Sequence, residues 1–170
     1  MKGLAEAKKQ DTTFVKNTKI LLQEETEQTN SGKFLPLIIL TIISMIVFII
    51  SRLKVAWAKI LTSFVDSLLL YVTGLIGILV LFMWFGTDHT VCKNNFNLAW
   101  TLPFNLPVAF FLTKKPGWLS NYFFIAAVIT AVLVAAWFWL PQQMNIALLP
   151  IVILLLNRYV NLVDKYRRTA

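Results

Sequence analysis

One cysteine and one histidine are all that 170 residues offer for thiol or imidazole chemistry. Cys92 has no second cysteine to pair with, which excludes an intrachain disulfide and a cysteine-based metal cluster. Charge is scarce as well: 14% of the chain is charged, against about 25% in a soluble domain. No apolar leader core follows Met1, because residues 1–33 mix lysines with Glu6, Asp11, Glu24, Glu25 and Glu27, so no signal peptide is expected. A second acid at membrane depth to work with Asp66 is lacking, and no inverted repeat is visible. Both absences weigh against a proton-driven transporter.

Apolar residues, at 58% of the chain, fill the space that charge leaves. They gather in five stretches, at about 34–51, 60–86, 98–113, 119–141 and 143–163. A helical crossing needs about 20 residues, at about 1.5 Å each, for about 30 Å of hydrocarbon. Four stretches meet or approach that length, with Pro36 in a tolerated first turn and a tight hairpin at Pro141–Gln143. The stretch at 98–113 is short and carries Pro103 and Pro107. It either crosses as a distorted helix or dips in and returns.

Basic residues discriminate between these alternatives. With five crossings and an outer N-terminus, Arg52, Lys54, Lys59, Lys114, Lys115, Arg158, Lys165, Arg167 and Arg168 fall on the cytoplasmic side, nine in all. The outer loops then hold only Lys93. A re-entrant third stretch leaves three inside. The positive-inside rule therefore predicts an all-α integral membrane bundle of about five transmembrane helices, N-out and C-in. Trp57 and Trp118 are expected near the inner interface, and Trp84, Trp100 and Trp139 near the outer one. The net charge of +8 is explained by this sidedness. Scattered in loops rather than along one face, it does not point to nucleic acid.

The expected organisation is an extracytoplasmic tail or domain remnant with linker over 1–33, a membrane domain over 34–164 and a basic cytoplasmic tail over 165–170. Within the tail, residues 2–10 suit the end of a helix, 12–22 a strand and 23–33 a polar linker. An outer tail without a leader is most simply the end of a longer exported protein.

The loop after the second stretch holds the polar chemistry. Asp88 beside His89 is a possible orienter and base. Cys92 lies three positions beyond His89, one helical turn away. Asp88 and His89 alone make a poor metal site, so no metal is expected. The stronger reading of this loop is capping and turn formation by Asp, Thr and Asn. Lys93, Asn94, Asn95, Asn97 and Asn105 are candidates for contact with lipid or an adjoining domain. So many amides at lipid level need partners, which predicts that this segment packs inside the bundle. Asp66 is expected to pair with Lys59 or reach the interface, and Arg158 to extend to the inner surface. Gly74 and Gly77, with Ala127, Ala131 and Ala135, are small-residue stripes that suit close helix packing.

The run Trp84-Phe85-Gly86-Thr87-Asp88-His89-Thr90, then Lys93-Asn94-Asn95-Phe96-Asn97-Leu98, then Trp100, Pro103 and Asn105, resembles the membrane domain of Lnb-type proteins. Phe14 to Thr18 resembles the junction between that domain and the periplasmic domain preceding it in the family. The resemblance covers essentially the whole chain. It implies the inner membrane of a Gram-negative bacterium and a link to lipoprotein N-acylation, with catalysis in the periplasmic domain. No catalytic residue or cofactor is carried over. The implied partners are membrane lipid, a periplasmic domain and a lipoprotein substrate. The expected role is therefore to anchor, and supply lipid to, a periplasmic acyltransferase domain. The alternatives are a self-contained membrane enzyme acting on lipid through Asp88, His89 and Cys92, and a noncatalytic scaffold.

Overall fold

The structure, a computed structural model, describes residues 8–9, 12–13, 30–86 and 95–168. It divides into two units, Met1–Lys33 and Phe34–Ala170. In the first, strands β1 (Lys8–Lys9) and β2 (Thr12–Thr13) pair antiparallel, with Lys8 opposite Thr13. The helix end expected over 2–10 is thus extended at Lys8–Lys9, whereas the strand expected from residue 12 has its first two residues in β2. The rest of both expectations lies outside the described residues.

Five helices follow: α1 (Asn30–Arg52), α2 (Ala56–Phe85), α3 (Asn105–Phe111), α4 (Leu119–Ala136) and α5 (Leu149–Arg167). Four are long and apolar enough to cross a membrane. Helix α1 begins earlier than expected, so Pro36 lies inside it rather than in its first turn. Helix α4 ends at Ala136, well short of the expected 141. Turns from Trp137 onward, with Pro141 disfavouring helix at Leu140, lead to the 3-10 turn Ile146–Leu148. Asn145 caps that turn by accepting from the Ala147 amide, and Pro150 enters α5 where a missing amide costs little.

The large apolar side chains that face outward, among them Ile42, Phe64, Phe110 and Val132, would drive aggregation in water. In hydrocarbon they meet their own solvent. The core lies between α4, α5 and the middle segment. Phe123 stacks on Tyr159 and Tyr166, with ring centroids 6.1 and 5.7 Å apart.

The middle segment crosses the bundle in pieces. It begins with the 3-10 turn Phe96–Ala99, bends through Pro103 and ends in α3. At its start the Phe96 amide donates to Gln142 in the α4–α5 connection, at 2.7 Å. At its far end Tyr166, near the C-terminus of α5, donates to the Leu112 carbonyl, at 2.8 Å. Since α5 separates those two levels, the segment runs the length of the bundle and is not re-entrant.

Two glycines let it do so. A Cβ on Gly77 would overlap the Thr101 carbonyl, and one on Gly74 the Leu106 amide. Backbone lies against backbone at both points, as expected of a small-residue stripe. The alanine stripe behaves differently. Ala127 is buried, but Ala131 and Ala135 are exposed, because α4 meets α5 through Phe123, Ala126, Thr130 and Leu133.

Candidate functional site

Among the described residues, three polar constellations interrupt the apolar bundle, each built by a different set of elements.

The first lies at the outer end. Asn95 precedes the 3-10 turn and caps it, its side-chain oxygen accepting from the Asn97 amide at 3.0 Å. The same oxygen accepts from the Asn97 side chain at 2.9 Å and from Gln142 at 3.2 Å. Asn97 in turn accepts from the Trp100 indole at 3.0 Å. Trp100 is therefore buried in the bundle and does not join the lipid-facing belt expected of it. Asn95 and Asn97 remain half-buried. The other residues singled out in this loop, Asp88, His89, Cys92, Lys93 and Asn94, lie outside the described residues. Among the described residues no group of three or more His, Cys, Asp or Glu side chains is placed to hold a metal.

The second constellation is at mid-depth, on Asn105. This residue is fully enclosed, and every hydrogen-bonding position of its amide is used. The nitrogen donates to Thr73 of α2 at 2.9 Å and to Tyr159 of α5 at 2.7 Å. The oxygen accepts from Tyr122 of α4 at 2.6 Å and from Tyr159 at 2.9 Å. Thr73 donates onward to the Leu69 carbonyl at 2.6 Å. One amide thus joins three helices, and a saturated network in low dielectric holds them in a single arrangement.

The third lies nearer the basic end. Arg158 Nε is 2.6 Å from Asp66 Oδ1, and Nη2 is 3.0 Å from Oδ2. This planar, bidentate fork is buried on both sides. The expectation that Asp66 turns to Lys59 and that Arg158 reaches the surface is therefore incorrect. At this depth each charge is stabilised more by the other than by a long path to water. Nothing in the local pattern marked the pair, because the two residues are 92 positions apart. With Arg158 inside, eight of the nine basic residues remain to mark the cytoplasmic end, and the charge bias still points the same way.

The pair floors a cavity of about 270 Å³ that is also lined by Ser51, Leu53, Lys59, Ser63, Asn161 and Lys165. Beside it, between α1 and α5, runs an apolar groove of about 430 Å³. Ser44 faces this groove, and its hydroxyl is buried without a hydrogen-bond partner.

Alternating helices around a saturated polar core, with an apolar exterior, define a multi-pass α-helical membrane domain. The family comparison specifies which kind. Residues 26–169 match the Lnb transmembrane domain, and the chain belongs to that family. No curated protein and no solved structure matches it.

Proposed function

We propose that this membrane domain anchors a periplasmic acyltransferase domain in the bacterial inner membrane and presents membrane lipid to it for lipoprotein N-acylation. The carrying observation is the family match over 26–169. The end of the bundle where α4 and α5 are joined adds support, since Asn95, Asn97 and Gln142 form a half-buried polar platform there, directly following residues 88–94 in sequence. The described bundle spends its polar groups on packing: the Asn105 amide is saturated and Asp66 is neutralised by Arg158. This favours a positioning role over chemistry within the membrane.

The test is complementation of a strain deficient in lipoprotein N-acylation, read by mass spectrometry of lipoprotein amino termini. Residues 1–170 alone leave the termini unacylated, and the same residues joined to the family's periplasmic domain restore acylation. Acylation by residues 1–170 alone overturns the proposal. So does loss of acylation in the joined protein when His89→Ala and Cys92→Ala are combined, which would place chemistry in the outer loop.

A further inference from the structure

The apolar groove between α1 and α5 runs along both helices. Leu37, Thr41, Met45 and Phe48 line it from α1, each about one turn from the next. Ile146, Pro150, Ile153 and Asn157 line the other side at the same spacing. Each row covers about 16 Å of axis, comparable with one leaflet, half of the hydrocarbon thickness of about 30 Å. A helix about 10 Å across would fill about 1,200 Å³ over that length. The groove holds about 430 Å³, so it suits a single hydrocarbon chain and not a partner helix.

Ile146 also lines a second cavity, of about 260 Å³, at the end of the bundle where α4 and α5 are joined. This one is polar: Trp137, Gln142 and Gln143 line it. Gln142 is engaged by the Phe96 amide and by Asn95. The Gln143 side chain is exposed, and the Trp137 indole N–H is buried without a hydrogen-bond partner. A buried donor left unpaired is unfavourable, and the bundle supplies no acceptor for this one. Among the described residues no charged side chain lines either space. An apolar slot of leaflet length that ends beside an uncharged donor matches an acyl chain ending in an ester carbonyl. Arg52, Lys54, Lys114 and Lys115 gather at the opposite end, so the positive-inside rule makes this the outer end.

We infer that α1, α4 and α5 hold one glycerophospholipid of the outer leaflet, with an acyl chain in the groove and its ester carbonyl accepting from Trp137. With no charge in its walls, the site reads the chain and the ester, not the headgroup. The bound chain also covers α1, of whose span only 6% is buried by protein. The inference deepens the lipid-presenting role proposed above and rests on it for its purpose, since the lipid held here is the one offered to the periplasmic domain. The binding itself is measurable without that domain.

The test uses the full chain in an uncharged detergent and counts bound lipid by native mass spectrometry. Phosphatidylcholine is added in its diester form or in a diether form that lacks the carbonyl. Wild type retains one diester lipid and binds it about fivefold more tightly than the diether, the size of one buried hydrogen bond. Trp137→Phe abolishes that preference by weakening the diester alone. Met45→Trp fills the groove from its exposed side and loses both lipids. Ile46→Trp, the same ring on an exposed position outside the groove, keeps both. Phosphatidylglycerol binds as well as phosphatidylcholine. Equal retention of diester and diether by wild type overturns the inference, and needs no variant to fold. So does an unchanged preference in Trp137→Phe, an equal effect of the two tryptophans, a preference for one headgroup, or a lipid-free dimer. Failure here with acylation intact in the joined protein strikes this site alone. Lipid retained by a joined protein that does not acylate strikes the earlier reading alone.

Discussion

Arg158 grips Asp66 through two hydrogen bonds, of 2.6 and 3.0 Å, between helices far apart in the chain. The geometry makes the two residues one unit. Removing either partner strands a buried charge, and removing both strands none. Asp66→Leu or Arg158→Leu alone is therefore expected to destabilise the domain by about 3–5 kcal/mol, and the double variant by much less. Thermal unfolding in detergent for the four members of this cycle checks it, and additive losses would show that the pair is not coupled.

The amide of Asn105 makes a graded prediction. Asn105→Leu leaves Thr73, Tyr122 and Tyr159 without their buried partner, at an expected cost of about 2–3 kcal/mol. Tyr122→Phe removes one of those bonds and is expected to cost about 0.6 kcal/mol, the average for a hydrogen bond inside a membrane. The order of the unfolding midpoints checks the assignment of Asn105 as the hub, and equal losses would contradict it.

Close approach at Gly77 is testable against a neutral control. Gly77→Ala forces a methyl group into the Thr101 carbonyl, and overpacking of this kind costs about 1–3 kcal/mol. A Cβ at Gly117 meets nothing within 4 Å, so Gly117→Ala is expected to leave the midpoint unchanged. Midpoints for the two alanine variants decide the point.

Sidedness is checked by labelling. In a Cys92→Ser background, Lys114→Cys is expected to react with a membrane-impermeant thiol reagent in inverted vesicles and not in intact cells. Reaction in intact cells would place the α3–α4 turn outside and remove the middle crossing.

The spans were legible in the sequence because apolar length and lysine placement are local properties. The crossing at 98–113 needed only a charge count, and the close packing at Gly74 and Gly77 followed from residue size. Four features were not legible. The Asp66–Arg158 pair joins residues with no common motif, so each was assigned its nearest route to water. Trp100 carries the residue type of an interfacial belt, and only its bond to Asn97 reveals that it turns inward. Helix α4 stops at Ala136, while apolar composition continues past the break and gives no sign of it. The partners of Asn105 were equally invisible, although an amide at that depth signalled that partners had to exist.

The broken middle segment has a consequence for biosynthesis. Two prolines and a polar amide make it less suited to a lone helix in lipid than its neighbours. Tyr159, which completes the coordination of Asn105, is made 54 residues later. The hydrogen-bond network around the third crossing is therefore complete only once α5 has been made. The order in which the network closes then departs from the order of synthesis, since α5 completes a segment made before it.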